Sequence, residues 1–91
     1  NVLPAGTLLK NIAKNLNLGV IEIEVGSQNE GILAAITKII SKKGINIRQA
    51  YAEDNELEEN PILTVITENP IDNDLISEFL KIKGVNRVSI Y

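Results

Sequence analysis

The sequence predicts an α+β sandwich, a four-stranded antiparallel sheet with two helices on one face, preceded by an N-terminal helix. The first observation is the order of hydrophobic patterns, which after the leading helix runs strand, helix, strand, strand, helix, strand. The second is an internal repeat, because Lys43-Gly44-Ile45-Asn46 recurs forty positions later as Lys83-Gly84-Val85-Asn86. Two similar βαβ units in one chain are typical of the ferredoxin-like βαββαβ sandwich, with strand order 4-1-3-2.

The first half of the chain supplies the leading helix, one strand and one helix. Apolar residues between positions 8 and 16 recur at i, i+3 and i+4, which predicts an amphipathic helix with Gly19 as its stop. Apolar and acidic residues then alternate from Gly19 to Val25, as in a strand with one covered face. An isoleucine-rich stripe from Ile32 predicts a helix that closes at Lys42, Lys43 and Gly44, where cations and glycine suit a helix C-terminus.

The second half supplies three strands and one helix. We predict strands over Ile45–Glu53 and Pro61–Thr67, joined by an acidic hairpin loop at positions 54–60. The apolar residues from Leu75 to Ile82 predict an amphipathic helix, with Asp72 and Asp74 in its first turn and Lys81, Lys83 and Gly84 at its end. The last strand is predicted over Val85–Tyr91.

The composition excludes several classes of function. The 91 residues include 12 Asp and Glu against 9 Lys and Arg, a net charge of −3, and neither Cys nor His. Thiolate and imidazole catalysis, disulfides and ordinary zinc sites are therefore excluded, and we expect no cofactor. The sequence has no apolar run of membrane-spanning length and no signal-peptide pattern, so we expect a cytoplasmic protein. Because the chain has no Met, we expect Asn1 to mark a trimmed chain or a fragment.

Enzymatic and metal sites are weakly indicated. Gly26 and Gly31 have the spacing of a phosphate-binding loop, but Ile32 stands where that loop needs lysine. The acidic loop at positions 54–60 alternates carboxylates as a calcium loop does, yet it lacks the glycine that makes the sharp turn. We interpret it as a solvated hairpin tip and predict no catalytic or metal-binding residues.

Nucleic acid is an improbable partner for this chain. An RNA-binding domain of the same element order needs aromatic side chains on its open sheet face. The three aromatics are Tyr51, Phe79 and Tyr91, and none lies in the first or third predicted strand. The leading helix resembles the first helix of a helix-turn-helix, but a strand follows it. We expect nucleic-acid binding only through a segment preceding Asn1.

The strongest candidate site lies where the first strand leads into the next helix. The connecting loop, Gly26-Ser27-Gln28-Asn29-Glu30-Gly31, ends at a helix start, where free backbone N–H groups can hold a carboxylate. Asn46 follows at the start of the next strand, and its side-chain amide can both donate and accept hydrogen bonds. An alternative role for Asn46 is structural, since Asn86 occupies the same place in the second half.

At these positions the sequence resembles the ACT domain, a small ligand-binding regulatory module of amino-acid metabolism. The resemblance rests on Asn29-Glu30-Gly31-Ile32-Leu33, followed by Lys43-Gly44-Ile45-Asn46-Ile47. It covers about Gly19 to Tyr91, so we assign residues 1–18 to an N-terminal helical extension and 19–91 to the ACT-like domain.

The resemblance implies a non-catalytic, allosteric domain that binds a small effector, an amino acid, at the interface of a homodimer or higher even oligomer. The implied ligand-binding residues are Gln28, Asn29, Glu30, Gly31, Ile32 and Asn46. The alternative is an interaction or oligomerisation module that uses the same sheet edges and binds no metabolite. Within the predicted edge strand, Ile45–Tyr51 has no proline or lysine to prevent pairing with a second copy.

Overall fold

The computed structural model describes residues 5–26, 31–53 and 61–91. The elements are α1 (Ala5–Asn15), β1 (Gly19–Val25), α2 (Ile32–Lys42), β2 (Ile47–Glu53), β3 (Ile62–Thr67), α3 (Leu75–Leu80) and β4 (Val85–Ile90). The predicted element order is confirmed, and β1 has the predicted bounds. No helix in the described ranges is long and apolar enough to cross a membrane.

The four strands form one antiparallel sheet in the order β2-β3-β1-β4, which is the predicted order read from the other edge. β1 lies in the centre, where Ile21 pairs with Val65 of β3 and with Ile90 of β4. β2 pairs with β3 on one side and forms one edge of the sheet, while β4 forms the other edge. The ferredoxin-like fold class is therefore confirmed.

The main core lies between one face of the sheet and helices α2 and α3. Its strand residues follow the period of two that the sequence predicts, and its helix residues follow the apolar stripes. The cluster consists of Ile21, Ile23, Val25, Ile32, Ile36, Ile40, Leu63, Val65, Ile71, Leu75 and Phe79. Both helices of the βαββαβ unit thus cover the same face, as predicted.

Helix α1 packs on the opposite face of the sheet. Ala13, which is 2 % exposed, contacts Val20 of β1 and Ile66 of β3 in a second, smaller apolar cluster. The outer side of the helix keeps an apolar stripe in which Leu8 is 51 %, Ile12 46 % and Leu16 65 % exposed. The predicted amphipathic helix therefore packs on the sheet through Ala13, while the large apolar side chains of Leu8, Ile12 and Leu16 are exposed to solvent.

Helices α1 and α3 differ from the prediction at their ends, and α3 begins only at Leu75, so Asp72 and Asp74 precede it. Asn17, and not Gly19, takes the left-handed conformation that ends α1, with φ 59°, and the Leu18 N–H donates to the Ala13 carbonyl. α3 ends at Leu80, because the following N–H groups of Lys81 and Ile82 bond three residues back and tighten the chain toward β4.

The strands β2 and β3 begin one or two residues later than predicted, and β4 ends one residue earlier. β2 starts at Ile47 because its pairing with β3 begins there and is interrupted at once by a register shift between Ile47 and Gln49. Such a shift is a β-bulge, which leaves one residue of β2 without a partner in β3.

Candidate ligand-binding site

The start of α2 presents backbone N–H groups with no side-chain cap. Gly31 occupies the N-cap position with φ 78°, a left-handed conformation that favours glycine. Because glycine has no side chain, it cannot donate or accept a capping hydrogen bond there. The first turn of α2 contains no acidic residue. The first N–H groups of a helix lack intrahelical acceptors, so this end favours a bound anion.

Of the predicted site residues in this segment, Gln28, Asn29 and Glu30 lie outside the described residues, as does the acidic loop at positions 54–60. Gly31 and Ile32 are described. The Ile32 side chain is 2 % exposed and belongs to the core, so Ile32 can meet a ligand through its backbone N–H. An added Cβ at Gly31 would find no atom of the described residues within 4 Å.

An apolar cavity of about 200 Å³ lies at the same end of α2. It forms where the end of β1, the first turn of α2, the end of β2 and the start of β3 meet. The described residues that line it are Val25, Ile32, Leu33, Ala52, Pro61 and Leu63. Sequence reasoning missed this cavity, because it depends on how edge strand β2 and Pro61 are placed beside β1.

Asn46 lies immediately before β2 and is held by Glu68, which follows β3. Its side-chain Nδ2 donates to Glu68 Oε2 at 3.0 Å, and its backbone carbonyl accepts from the Glu68 N–H at 2.9 Å. Both residues are exposed. Sequence reasoning did not identify Glu68, whose position opposite Asn46 follows only from the pairing of β2 with β3.

The structure does not bring Asn46 to the start of α2 within one chain. Gly31 precedes the first residue of α2, whereas Asn46 follows its last turn, and the 11 residues of α2 span about 16 Å. Ala52, at the far end of β2, is the residue of that strand that lines the cavity. Gly31 and Asn46 of the same chain therefore cannot hold one small ligand together.

A second polar cluster lies on the sheet face that carries α1. Lys10 of α1 forms an ion pair with Glu22 of β1, with Nζ 3.1 Å from Oε1, and Nζ lies 4.9 Å from the centre of the Tyr91 ring. Beside this cluster Arg87 lies 3.6 Å from Glu24, and these residues line a cavity of about 110 Å³. The Lys10–Glu22 pair ties α1 to the sheet, and Arg87 and Glu24 pair with each other beside it.

The ion pair changes the pKa of two groups in the same direction. Burial acts to lower the pKa of Lys10, but the hydrogen bond to Glu22, the Glu22 charge and the nearby Tyr91 and Tyr51 together raise it above 10.5. The hydrogen bond with Glu22, burial and the Glu22 charge raise the pKa of Tyr91 above 10.0, against an opposing effect of Lys10. Both groups hold their protons more tightly in the folded than in the unfolded chain.

We expect this cluster to make the protein lose stability in alkali. Groups with a raised pKa stabilise the folded state fully below their unfolded pKa, and this contribution disappears as the pH rises through the folded pKa. The free energy of unfolding should therefore fall above about pH 10, and it should fall less steeply in Glu22→Gln, which removes the cause of both shifts. Urea denaturation at pH 8 to 11.5 measures this.

Glu24→Gln is the matched control for this prediction. Glu24 pairs with Arg87 and is not among the causes that raise the pKa of Lys10 or of Tyr91. The alkaline slope of Glu24→Gln should therefore equal that of the unmodified chain. An equal slope in Glu22→Gln would show that the Lys10 cluster does not titrate as described.

Among the described residues, no group of three or more Asp and Glu side chains is arranged to hold a metal ion. Every buried side-chain nitrogen or oxygen in those residues has a hydrogen-bond partner. Within the described residues, the start of α2 therefore offers backbone N–H groups without a side-chain cap and an apolar cavity, which suit binding of a small molecule.

Comparison with known proteins supports the fold through structures alone. The sequence matches no family model, and no curated protein sequence matches it significantly. The C-terminal domain of the MgtC protein from Mycobacterium tuberculosis is similar in structure, with a TM-score of 0.67 and 18 % identity over 81 % of this chain and 84 % of that chain. The ACT domain from GTP pyrophosphokinase of Chlorobium tepidum matches with a TM-score of 0.58 and 24 % identity, over 81 % of this chain and 96 % of that domain.

Both similarities extend over most of the chain and describe its backbone arrangement. The motifs at Gly31 and Asn46 indicated the same fold from the sequence. The resemblance to the ACT domain is thus confirmed at the level of architecture: this chain has the fold of an ACT domain.

Proposed function

We propose that this chain is a non-catalytic regulatory domain that binds an amino acid as a small effector between two copies of itself. The effector regulates an attached or partner protein of amino-acid metabolism in the cytoplasm. Allosteric control of this kind requires that the effector bind one state of the assembly more tightly than another. The similar ACT domain belongs to a GTP pyrophosphokinase, an arrangement in which such a module accompanies an enzyme.

The observation that carries the proposal is the uncapped start of α2 beside an apolar cavity. An amino acid presents a carboxylate, which suits free N–H groups at a helix start. It also presents a side chain, which suits a cavity next to those groups. The N–H groups of Gly31 and Ile32, with those of the preceding segment Gln28–Glu30, are the proposed carboxylate site.

The separation of Gly31 from Asn46 supports an assembly in which Asn46 comes from a second copy. β2 is an edge strand whose outer side has no neighbouring strand within the described sheet. Antiparallel pairing of two β2 strands places the start of one beside the end of the other. Asn46 and Glu68 of one copy then lie near Ala52 and the cavity of its partner. An isologous dimer of this kind contains two equivalent sites.

Thermal unfolding in the presence of each of the twenty standard amino acids tests the proposal. A ligand at one hundred times its Kd adds about 2.7 kcal/mol to the stability of the folded state. For a domain of this size we expect Tm to rise by on the order of 10 °C or more with at least one amino acid. Asn46→Ala should abolish this rise with little change in Tm without ligand, because Asn46 and its bond to Glu68 are exposed.

Asn86→Ala provides the matched control. Asn86 is the counterpart of Asn46 in the internal repeat and is also exposed, but it lies in edge strand β4. Its replacement should leave the ligand-induced rise intact. Failure of all twenty amino acids to raise Tm contradicts the proposal, and so does a rise that survives Asn46→Ala.

The alternative function is an interaction module without a metabolite, and one observation favours it. The outer stripe of α1, formed by Leu8, Ile12 and Leu16, is about half exposed or more. Apolar stripes of this kind are typical of surfaces that contact another protein. A chain that assembles in analytical ultracentrifugation but shows no Tm change with any amino acid would support this alternative.

A further inference from the structure

We infer that the cavity at the start of α2 selects effectors with a branched hydrocarbon side chain and rejects polar side chains of the same size. This inference rests on the proposed function, because it assigns a side-chain preference to the same site. Three properties of the cavity carry it: the composition of its lining, its size, and the burial of its lining residues.

The composition of the cavity is uniformly apolar in the described residues. Its lining consists of Val25, Ile32, Leu33, Ala52, Pro61 and Leu63. None of these side chains can donate or accept a hydrogen bond, so an amide or hydroxyl placed among them would lose its bonds to water. A hydrocarbon group suffers no such loss and gains from leaving water.

The size of the cavity suits a small hydrocarbon group. Its volume of about 200 Å³ exceeds the roughly 150 Å³ of an apolar cavity that holds a benzene molecule. It is smaller than the pockets of about 300–1,000 Å³ that hold whole drug-sized ligands. The cavity is therefore matched to one side chain of an effector whose charged groups lie outside it.

The lining residues of the cavity differ in burial: some belong to the core, and one is exposed to solvent. Val25, Ile32 and Leu63 are buried core residues, and the Val25 N–H donates to the Pro61 carbonyl at 3.1 Å, which fixes Pro61 beside the end of β1. Leu33 is 46 % exposed and forms part of the wall. A ligand side chain that covers Leu33 removes apolar surface from water on both partners.

Isothermal titration calorimetry of the full chain with leucine, alanine and asparagine tests the inference. Leucine and asparagine are similar in size and differ in polarity, while alanine lacks the branched group. A single methylene group in an apolar pocket changes binding by about 10- to 200-fold. We expect the Kd of leucine to be at least tenfold lower than those of alanine and asparagine.

Two variants assign this selectivity to the cavity. Leu33→Ala should raise the Kd of leucine by about tenfold and leave that of alanine unchanged, since alanine does not reach the wall. Leu80→Ala is the matched control. Leu80 lies in α3, is 47 % exposed and is not among the residues that line the cavity, so its replacement should change neither Kd. Both leucines are largely solvent-facing, so both variants should fold.

The outcomes separate this inference from the proposed function. Asparagine binding as tightly as leucine, or leucine binding unaffected by Leu33→Ala, overturns the inference and leaves the proposed function standing. Absence of binding by any amino acid overturns the proposed function and this inference with it.

Discussion

Replacing Phe79 with alanine is expected to lower the free energy of unfolding by about 3–5 kcal/mol. Phe79 of α3 is fully buried and is the largest side chain in the main core. Its removal leaves a cavity and forfeits contacts that the surrounding isoleucines cannot replace. Because a domain of this size has a total stability of about 5–15 kcal/mol, the loss is a large fraction of the whole. Urea denaturation followed by circular dichroism measures it.

Leu80→Ala is the control for this prediction as well. The neighbouring residue in the same helix is 47 % exposed, so its truncation should cost far less. Similar losses in the two variants would mean that α3 does not face the sheet through Phe79, and the description of the core would then be wrong.

Gly19→Ala is expected to destabilise the protein by about 1–3 kcal/mol, although it adds one methyl group. A Cβ at position 19 would collide with the Thr67 hydroxyl and with the Asn69 carbonyl. Thr67 is fully buried, and its hydroxyl donates to that same carbonyl at 2.7 Å, so neither atom can move without breaking the bond. The midpoint of thermal unfolding gives the size of the effect.

Gly26→Ala, at the other end of β1, serves as the comparison. Among the described residues, the nearest atom to a Cβ at that position is the Gly84 carbonyl oxygen at 3.6 Å, an ordinary van der Waals contact. Its replacement should change Tm little. Equal effects at positions 19 and 26 would show that close packing against Thr67 does not restrict residue 19.

The strands and helix α2 could be predicted because their apolar side chains face the core and their polar side chains face away from it. In β1, the isoleucines face the α2–α3 core and the glutamates face the α1 side, so the period of two is unmistakable. The isoleucine stripe of α2 predicts its bounds for the same reason. Helix α3 ends earlier than predicted because the N–H groups of Lys81 and Ile82 bond to the third preceding residue instead of the fourth, and the apolar pattern does not reveal this difference.

The candidate site could be predicted only in part. The uncapped helix start follows from the glycine before Ile32, a local signal. The cavity and the Asn46–Glu68 bond join residues that are far apart in the chain, and they depend on how β2 lies against β3. Likewise, the restriction on Gly19 arises from Thr67 and Asn69, which no pattern around position 19 reveals.

The length of α2, which separates Gly31 from Asn46, makes the proposed effector binding depend on the concentration of the protein itself. If each complete site draws on two copies, ligand binding and association are thermodynamically linked, and each strengthens the other by the same factor. The apparent affinity for the effector then rises with the total protein concentration, and the effector in turn lowers the dimer dissociation constant. Such a domain reports the product of two abundances, that of the metabolite and that of the protein carrying the domain.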